Sequence, residues 1–443
     1  MQKPELLAPA GDWEKMEYAL AYGADAVYLS GRMFGLRAYA GNFSAEELRE
    51  AAVWTRGLGR KIYVAVNVFA HEDDFQELPA YLRQLAEMKA DGIIVSDPGV
   101  IALAREVTPE LDIHLSTQAN STNSFTVNYW LRQGVKRVNL ARELTLEEMR
   151  AVRSKTGGEL EVFIHGAMCM SYSGRCLLSN YLTGRDANRG ECTQPCRWKY
   201  SLVEEKRPGE VFPLEEDERG TYIFNSHDLC LLPYLPELMA VSPDSFKIEG
   251  RMKSVLYVAG TVKVYREAID VLWDEGETAF QARLPGWLTE LDKFSHRDYS
   301  PGFLFGKPGG ESHNLETSHY VRDYDFVGVS LQGKSFSEEK QAAEGDVYDR
   351  TEQTACGEYS KENKQAASAE QSCTAWVEQR NHFKAGDVLE VLAPGETPWS
   401  FTVTQIRDEL GSALDAARHA QQKVRLAVPR IFRPYSILRR AKT

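Results

Sequence analysis

The sequence predicts an α/β protein built on a (β/α)8 TIM-like barrel, and three observations predict it. Eight short apolar segments recur through the first 275 residues. Amphipathic stretches with helix-start and helix-stop residues alternate with them. The strand cores are apolar on both faces, as a covered parallel sheet requires.

The segments span 5–9, 26–30, 61–68, 92–97, 112–117, 137–142, 161–165 and 245–249. The third shows their character: Ile62-Tyr63-Val64-Ala65-Val66 runs apolar without alternation. Between the segments, Ser44 with Glu47 and Thr145 with Glu148 have the spacing of capping boxes. Gly23, Gly92 and Gly134 stand where a helix must end before the next strand. A doubly wound open sheet is the alternative, but no GxGxxG sequence supports a dinucleotide fold.

The seventh unit is irregular. Far more chain separates residues 165 and 245 than one helical return needs, so an insertion is expected over about 166–244. An insertion after a barrel strand belongs to the C-terminal face, where active sites sit. Within it, 198–204 and 221–224 read as a hairpin. A long helix is expected over 254–275, which completes a barrel domain of residues 1–275. Residues 276–330 are aromatic and rich in Gly and Pro, and read as a wrapping or connecting segment rather than a helix. Residues 331–371 are rich in Glu, Lys, Gln, Ala and Ser and read as a flexible insertion. Beyond it, 374–378, 388–392, 399–406 and 423–428 read as strands, with Lys384-Ala385-Gly386-Asp387 and Pro394-Gly395 as turns. Residues 326–330 are a candidate first strand of the same unit. A small C-terminal β-barrel domain, 372–443, is therefore expected, ending in a basic tail.

Composition bounds the function. The chain has 443 residues, 43% hydrophobic and 26% charged, with a net charge of −12. That charge argues against general, non-specific nucleic-acid binding. Residues 423–443 nevertheless carry seven Lys and Arg and no acid. They read either as a last strand with a solvated tail or as a local RNA-binding surface on an acidic body. No apolar run approaches the ~18 residues of a membrane span. The N-terminus lacks the features of a secretory signal. A cytoplasmic protein without a membrane partner is expected.

The strongest chemical signal is Cys169-x6-Cys176-x15-Cys192-x3-Cys196. Four thiols on one loop-rich segment suit a metal site, because a loop can wrap its ligands round a metal. Paired CxxC knuckles, usual in structural zinc sites, are absent, yet spacing alone leaves zinc and iron–sulfur open. Gly174 and Pro195 supply turns beside the thiols. Cys230 is isolated and reads as a core residue. Cys356 and Cys373 lie in or beside the flexible segment.

The run from Glu161 to Ser179, containing His165-Gly166-Ala167-Met168-Cys169 and Ser173-Gly174-Arg175-Cys176, closely resembles the signature of the U32 peptidase family. So do Leu6-Leu7-Ala8-Pro9-Ala10-Gly11 with Gly23-Ala24-Asp25-Ala26-Val27-Tyr28, and Phe246-Lys247-Ile248-Glu249-Gly250-Arg251-Met252-Lys253-Ser254. The resemblance covers nearly the whole chain and is weakest over 331–371. It implies a [4Fe-4S] cluster on Cys169, Cys176, Cys192 and Cys196. It further implies oxygen-independent hydroxylation, in one branch of uridine 34 in the tRNA anticodon loop to 5-hydroxyuridine, with prephenate as co-substrate. Residues 295–305 and the β domain look most like that branch. Other branches act on ribosomal RNA or serve ubiquinone synthesis, and the family name implies a collagenase-like peptidase. An electron donor or partner subunit is compatible with this reading.

Other candidate site residues follow from strand ends. His165 ends the seventh strand and is expected near the barrel mouth, as a general acid/base, a donor to substrate, or a structural histidine. Glu249, Arg251 and Lys253 follow the eighth strand, where barrels often bind anions. Arg251 suits a carboxylate of prephenate or an RNA phosphate; an Arg–Glu pair bracing the barrel is the plainer alternative. Asn67, Asp97, Gln118 and Arg142 lie at or just past other strand ends. No GxSxG or HExxH sequence supports proteolysis, which leaves a Cys–His dyad of Cys169 or Cys176 with His165 as the protease alternative.

Overall fold

The structure, a computed structural model, describes residues 2–36, 41–169, 171–198, 216–217, 220–221, 227–306, 320–331 and 373–442. It divides into two compact units, Met1–Val321 and Arg322–Thr443.

In the first unit all eight predicted strands form. They are β1 (Glu5–Pro9), β2 (Ala26–Leu29), β3 (Lys61–Ala65), β4 (Gly92–Val95), β5 (Ile113–Leu115), β6 (Arg137–Asn139), β7 (Glu159–Ala167) and, after a short strand β8 (Asp228–Cys230), β9 (Ser245–Ile248). Neighbours β1 to β7 pair in parallel, and β9 pairs in parallel with both β1 and β7, which closes the barrel. Strand β8 lies antiparallel to the end of β7, with Cys230 opposite His165.

Outer helices follow the strands: α1 (Trp13–Ala21), α2 (Ala45–Gly57), α3 (Leu78–Glu87), α4 (Pro98–Val107), α5 (Ser124–Arg132) and α6 (Leu146–Arg153). Both predicted capping boxes form, at Ser44 with Glu47 and Thr145 with Glu148. Each satisfies two backbone donors that the first helical turn leaves open. In the long insertion lies α7 (Leu178–Thr183), and α8 (Leu235–Val241) completes the return to β9. The expected long helix is α9 (Val255–Asp274), capped by Ser254.

Two expectations change. Residues 276–330 are not all a wrapping segment, because Glu277–Leu291 forms helix α10. Pro285 and Gly286 read as breakers, yet Phe280, Trp287 and Leu291 hold helical spacing and are buried. That burial outweighs the hydrogen bond Pro285 removes. The basic C-terminus is not a solvated tail: Ile437–Ala441 is a strand inside the second unit's sheet, with Arg439 fully buried. Most of the predicted hairpin at 198–204 and 221–224 and the insertion at 331–371 lie outside the described residues, which show there only Glu216–Asp217 pairing with Gly220–Thr221.

The second unit is an antiparallel half-barrel. Its sheet order is Trp399–Thr402, Val388–Leu392, Ile437–Ala441, Tyr324–Ser330, Cys373–Gln379, Lys423–Val428, Ile406–Arg407 and Ala413–Leu414. Val377, Leu389, Leu426 and Leu438 share its buried core.

The lower interior of the first barrel is ionic rather than wholly apolar. Arg137 on β6 reaches Glu5 on β1 at 2.5 Å, Glu159 at 2.8 Å and Glu161 on β7 at 3.5 Å. Lys247 on β9 reaches Glu161 at 2.7 Å. Burial alone would raise the Glu5 carboxyl, but Arg137 and Tyr63 outweigh it and hold it below its ordinary 4.5. Its stabilisation is therefore present at neutral pH and lost as pH falls through the depressed value. Arg137→Met should cost about 3–5 kcal/mol, because it leaves buried carboxylates uncompensated. Urea unfolding at pH 7 measures this; a loss below about 1 kcal/mol would mean the carboxylates find other partners.

Candidate active site at the barrel mouth

The C-terminal strand ends carry four of the eight predicted polar residues at the mouth: Asn67, Gln118, Glu249 and Arg142. Asn67, just past β3, donates from Nδ2 to Gln118 Oε1 at 2.8 Å, and its own Oδ1 accepts from the Leu36 amide. Gln118, past β5, is buried and also accepts from Ser116 Oγ at 3.1 Å. Glu249, just past β9, accepts from Tyr28 Oη at 3.0 Å. Burial and the neighbouring Glu249 charge push the Tyr28 phenol well above its ordinary value, so it stays a donor. Arg142, past β6, donates to the Ala167 carbonyl at 2.8 Å and lies 3.9 Å over the Phe163 ring. Gln118 Nε2 and Arg142 Nε are buried donors with no partner among the described residues. Such donors mark where a ligand or water completes a site.

Three predicted residues take other work. Arg251 is 3% exposed, and donates to the Leu36 carbonyl and to Asn42 Oδ1. It holds the β2–α2 loop against the mouth. Lys253 is turned to other partners: its ammonium donates to the Ser295 carbonyl and lies over Tyr257 and Tyr320. Asp97 caps α4 by accepting from the Gly99 and Val100 amides.

His165 does not face the mouth. Along β7, Phe163 pairs with Lys247 but His165 pairs with Ile248, so one residue is extra. Such a bulge re-aims the side chains that follow it. The ring lies instead 5.9 Å from Tyr257 and 5.4 Å from Tyr265, both on the outer helix α9. Tyr265 Oη sits 3.3 Å from His165 Nδ1. Burial pushes the imidazole down to about 3 from 6.5.

The cysteine segment is anchored onto the same mouth. Asn120 donates to the Ser173 carbonyl, and the Phe69 amide to the Asn188 carbonyl. Arg189 clamps Asp74 through two bonds of 2.8 and 3.0 Å. Gly174 has φ +75°, and a Cβ there would stand 3.1 Å from Phe69 and 3.2 Å from Gln118. The four thiols carry no disulfide; Cys169 is exposed and Cys176, Cys192 and Cys196 are half-buried. In kind this donor set fits an iron–sulfur cluster: four soft thiols on one segment. Among the described residues, no group of three His, Cys, Asp or Glu stands at ion-holding distances. Cys230 is a buried core residue, as its isolation suggested.

Residues that the sequence did not single out also build the mouth: Tyr28, Asn42, Ser116, Asn120 and Phe163. Tyr28 and Phe163 had a signal, their places in the family-like segments.

A closed parallel barrel whose strand-end polar groups are roofed by a cysteine-bearing loop defines a TIM-barrel protein with an inserted-loop site. Residues 11–314 match Peptidase family U32, and residues 352–439 match the Peptidase family U32 C-terminal domain. The chain belongs to the U32 peptidase family. It is 39% identical over 441 residues to tRNA hydroxylation protein P1 of Bacillus subtilis, covering 100% of this chain and 96% of that one. It is 36% identical over 470 aligned residues to tRNA hydroxylation protein P of Escherichia coli, covering 97% and 94%. An uncharacterized protease of Methanocaldococcus jannaschii is 42% identical over 306 residues, 68% of this chain and 73% of the relative. No described helix is long and apolar enough to cross a membrane.

Two expected outcomes test this geometry. Gly174→Ala combines an unfavourable positive φ with a tight contact, so it should displace the cysteine loop at a cost of about 1–2 kcal/mol. Limited proteolysis should then cut 170–198 faster while the barrel melts as before. For His165, the folded ring stays neutral down to about 3, whereas the unfolded ring takes a proton below about 6.5. This group therefore removes stability as pH falls between those values. His165→Gln should flatten that part of the stability–pH curve, and an unchanged slope would show that the ring is not desolvated.

Proposed function

We propose that this chain hydroxylates uridine 34 of tRNA to 5-hydroxyuridine without molecular oxygen, with prephenate as co-substrate. The observation that carries this reading is the near full-length identity to two proteins named for tRNA hydroxylation. Cys169, Cys176, Cys192 and Cys196 would hold a [4Fe-4S] cluster. Such a cluster, when bound, supplies one-electron chemistry or an iron site for a ligand oxygen.

The mouth residues then take particular parts. Arg142 and Gln118 present unpartnered donors to a carboxylate or to the uracil carbonyls. Asn67 fixes the Gln118 amide by occupying its oxygen. Glu249, held by Tyr28, is the mouth carboxylate placed to take a proton. Arg251 is a positioning residue, since its guanidinium holds the loop beside the mouth. Bases of an anticodon loop are already unstacked enough to enter such a site.

A protease dyad suits this chain poorly. It asks for a histidine that exchanges protons near neutrality, and His165 is buried with its pKa near 3.

The test is nucleoside mass spectrometry of tRNA and ribosomal RNA from a host lacking its own wobble-uridine hydroxylase, with and without this gene, grown without oxygen. The expected result is 5-hydroxyuridine or its derivatives in tRNA only when the gene is present. Cys169→Ala and Cys176→Ala should each abolish the product while the soluble chain persists. Product confined to ribosomal RNA, or none from iron-loaded wild-type protein, would overturn the assignment.

A further inference from the structure

The seven basic residues of 423–443 look like one RNA-binding patch in sequence, but the structure uses most of them internally. Arg439 pairs with Glu390, Arg440 with Asp387 and Asp325, Lys442 with Asp325, and Arg430 and Arg433 share Glu396. Arg425 differs. It has no ion pair among the described residues, and its guanidinium lies 4.7 Å over the ring of Trp376, its register partner on the adjacent strand. On its other side Arg425 is the register partner of Arg407, so two arginines stand directly opposite each other on the outer sheet face. Arg407 also has no acid partner among the described residues; one of its donors goes to the Gly411 carbonyl.

Directly opposed like charges destabilise a sheet by themselves. A third charge of the opposite sign, brought from outside, reverses that sign. An aromatic ring topped by a guanidinium, beside a second arginine with no acid partner among the described residues, suits both things a nucleic acid presents: a flat base to stack and a phosphate to neutralise. The inner face of the same strands is closed by Ala375, Val377, Val424 and Leu426, all buried. Among the described residues, the outer face carries the half-buried Trp376 and Arg425 and the exposed Arg407.

We infer that the outer sheet face of the second unit, centred on Trp376, Arg425 and Arg407, is an RNA-contact surface that engages the tRNA substrate. This rests on the tRNA reading above and adds to it a binding surface on the half-barrel. The surface would raise affinity for tRNA without taking part in chemistry.

The test uses the full-length, iron-loaded chain and unmodified tRNA transcript, titrated across a salt series. Arg407→Gln with Arg425→Gln should weaken binding at least tenfold near 0.1 M salt, and should reduce the slope of log K against log salt by about 2. The KM for tRNA should rise with kcat unchanged, while melting temperature and iron content match wild type. Trp376→Phe, which keeps a stacking ring, should bind like wild type, and Trp376→Leu should not. Equal binding and equal salt slope in wild type and the double variant would overturn the inference, as would a wild-type chain that binds no tRNA. Failure of the hydroxylation reading is scored separately, by absence of 5-hydroxyuridine in cells carrying the wild-type gene.

Discussion

Closure of the barrel depends on one buried carboxylate. Glu161 on β7 accepts from Lys247 on β9 at 2.7 Å and from Asn139 on β6 at 2.9 Å. Arg137 links the same group to Glu5 on β1. Four strands, from the first of the chain to the last of the barrel, thus share one charge network. Buried ion pairs contribute little net stability compared with apolar packing, because desolvation opposes their attraction. They do enforce register. A one-residue slip of β9 would turn Lys247 out of the barrel and strip Glu161 of its ammonium partner. The parallel ladder by itself tolerates such a slip far better, so the network selects the strand alignment that places every residue of the mouth.

Above that network the alignment breaks once, and the break divides the predicted site in two. The bulge between Phe163 and His165 keeps Phe163 inward, under Arg142. It sends His165 outward among tyrosines. Lys253 goes to the same outer side, and Asp228 with Arg297 forms a buried ion pair there at 2.6 Å. Chemistry-bearing residues that look equivalent in sequence therefore serve different purposes. Those inside the bulge line the barrel mouth, and those outside it hold α9 and the 295–300 segment to the barrel.

The barrel was legible because its signals are local: strand apolarity, helix caps and stop glycines each report on a few neighbouring residues. The cysteine insertion was legible as a departure from that rhythm. What could not be read was direction. A strand-end residue is visible in sequence, but a bulge one residue earlier reverses its facing, as at His165, and nothing in the run Phe163-Ile164-His165 marks it. Helix α10 was hidden for a different reason. Pro285-Gly286 is a strong local breaker, and only the burial of Trp287 and Leu291 overrides it. The basic C-terminus failed on partners. Its acids sit at Asp325, Asp387, Glu390 and Glu396, well upstream of the strand they neutralise.

The way the cysteine segment is held bears on what a cluster there would be for. Its anchors are protein bonds: Asn120 to Ser173, the Phe69 amide to Asn188, Arg189 to Asp74, and Gly174 packed on Gln118. None uses a thiol. The Arg189 hydrogen bonds hold the Asp74 carboxyl down to about 2, so that clamp persists through the acid range. A small domain that folds only round its metal relies on the metal for order and has few such anchors. Here the backbone of the loop is already committed to the mouth, next to Gln118, by contacts that do not involve the sulfurs. On the proposed reading, thiols carried by a loop already anchored at a barrel's C-terminal face would serve chemistry rather than stability.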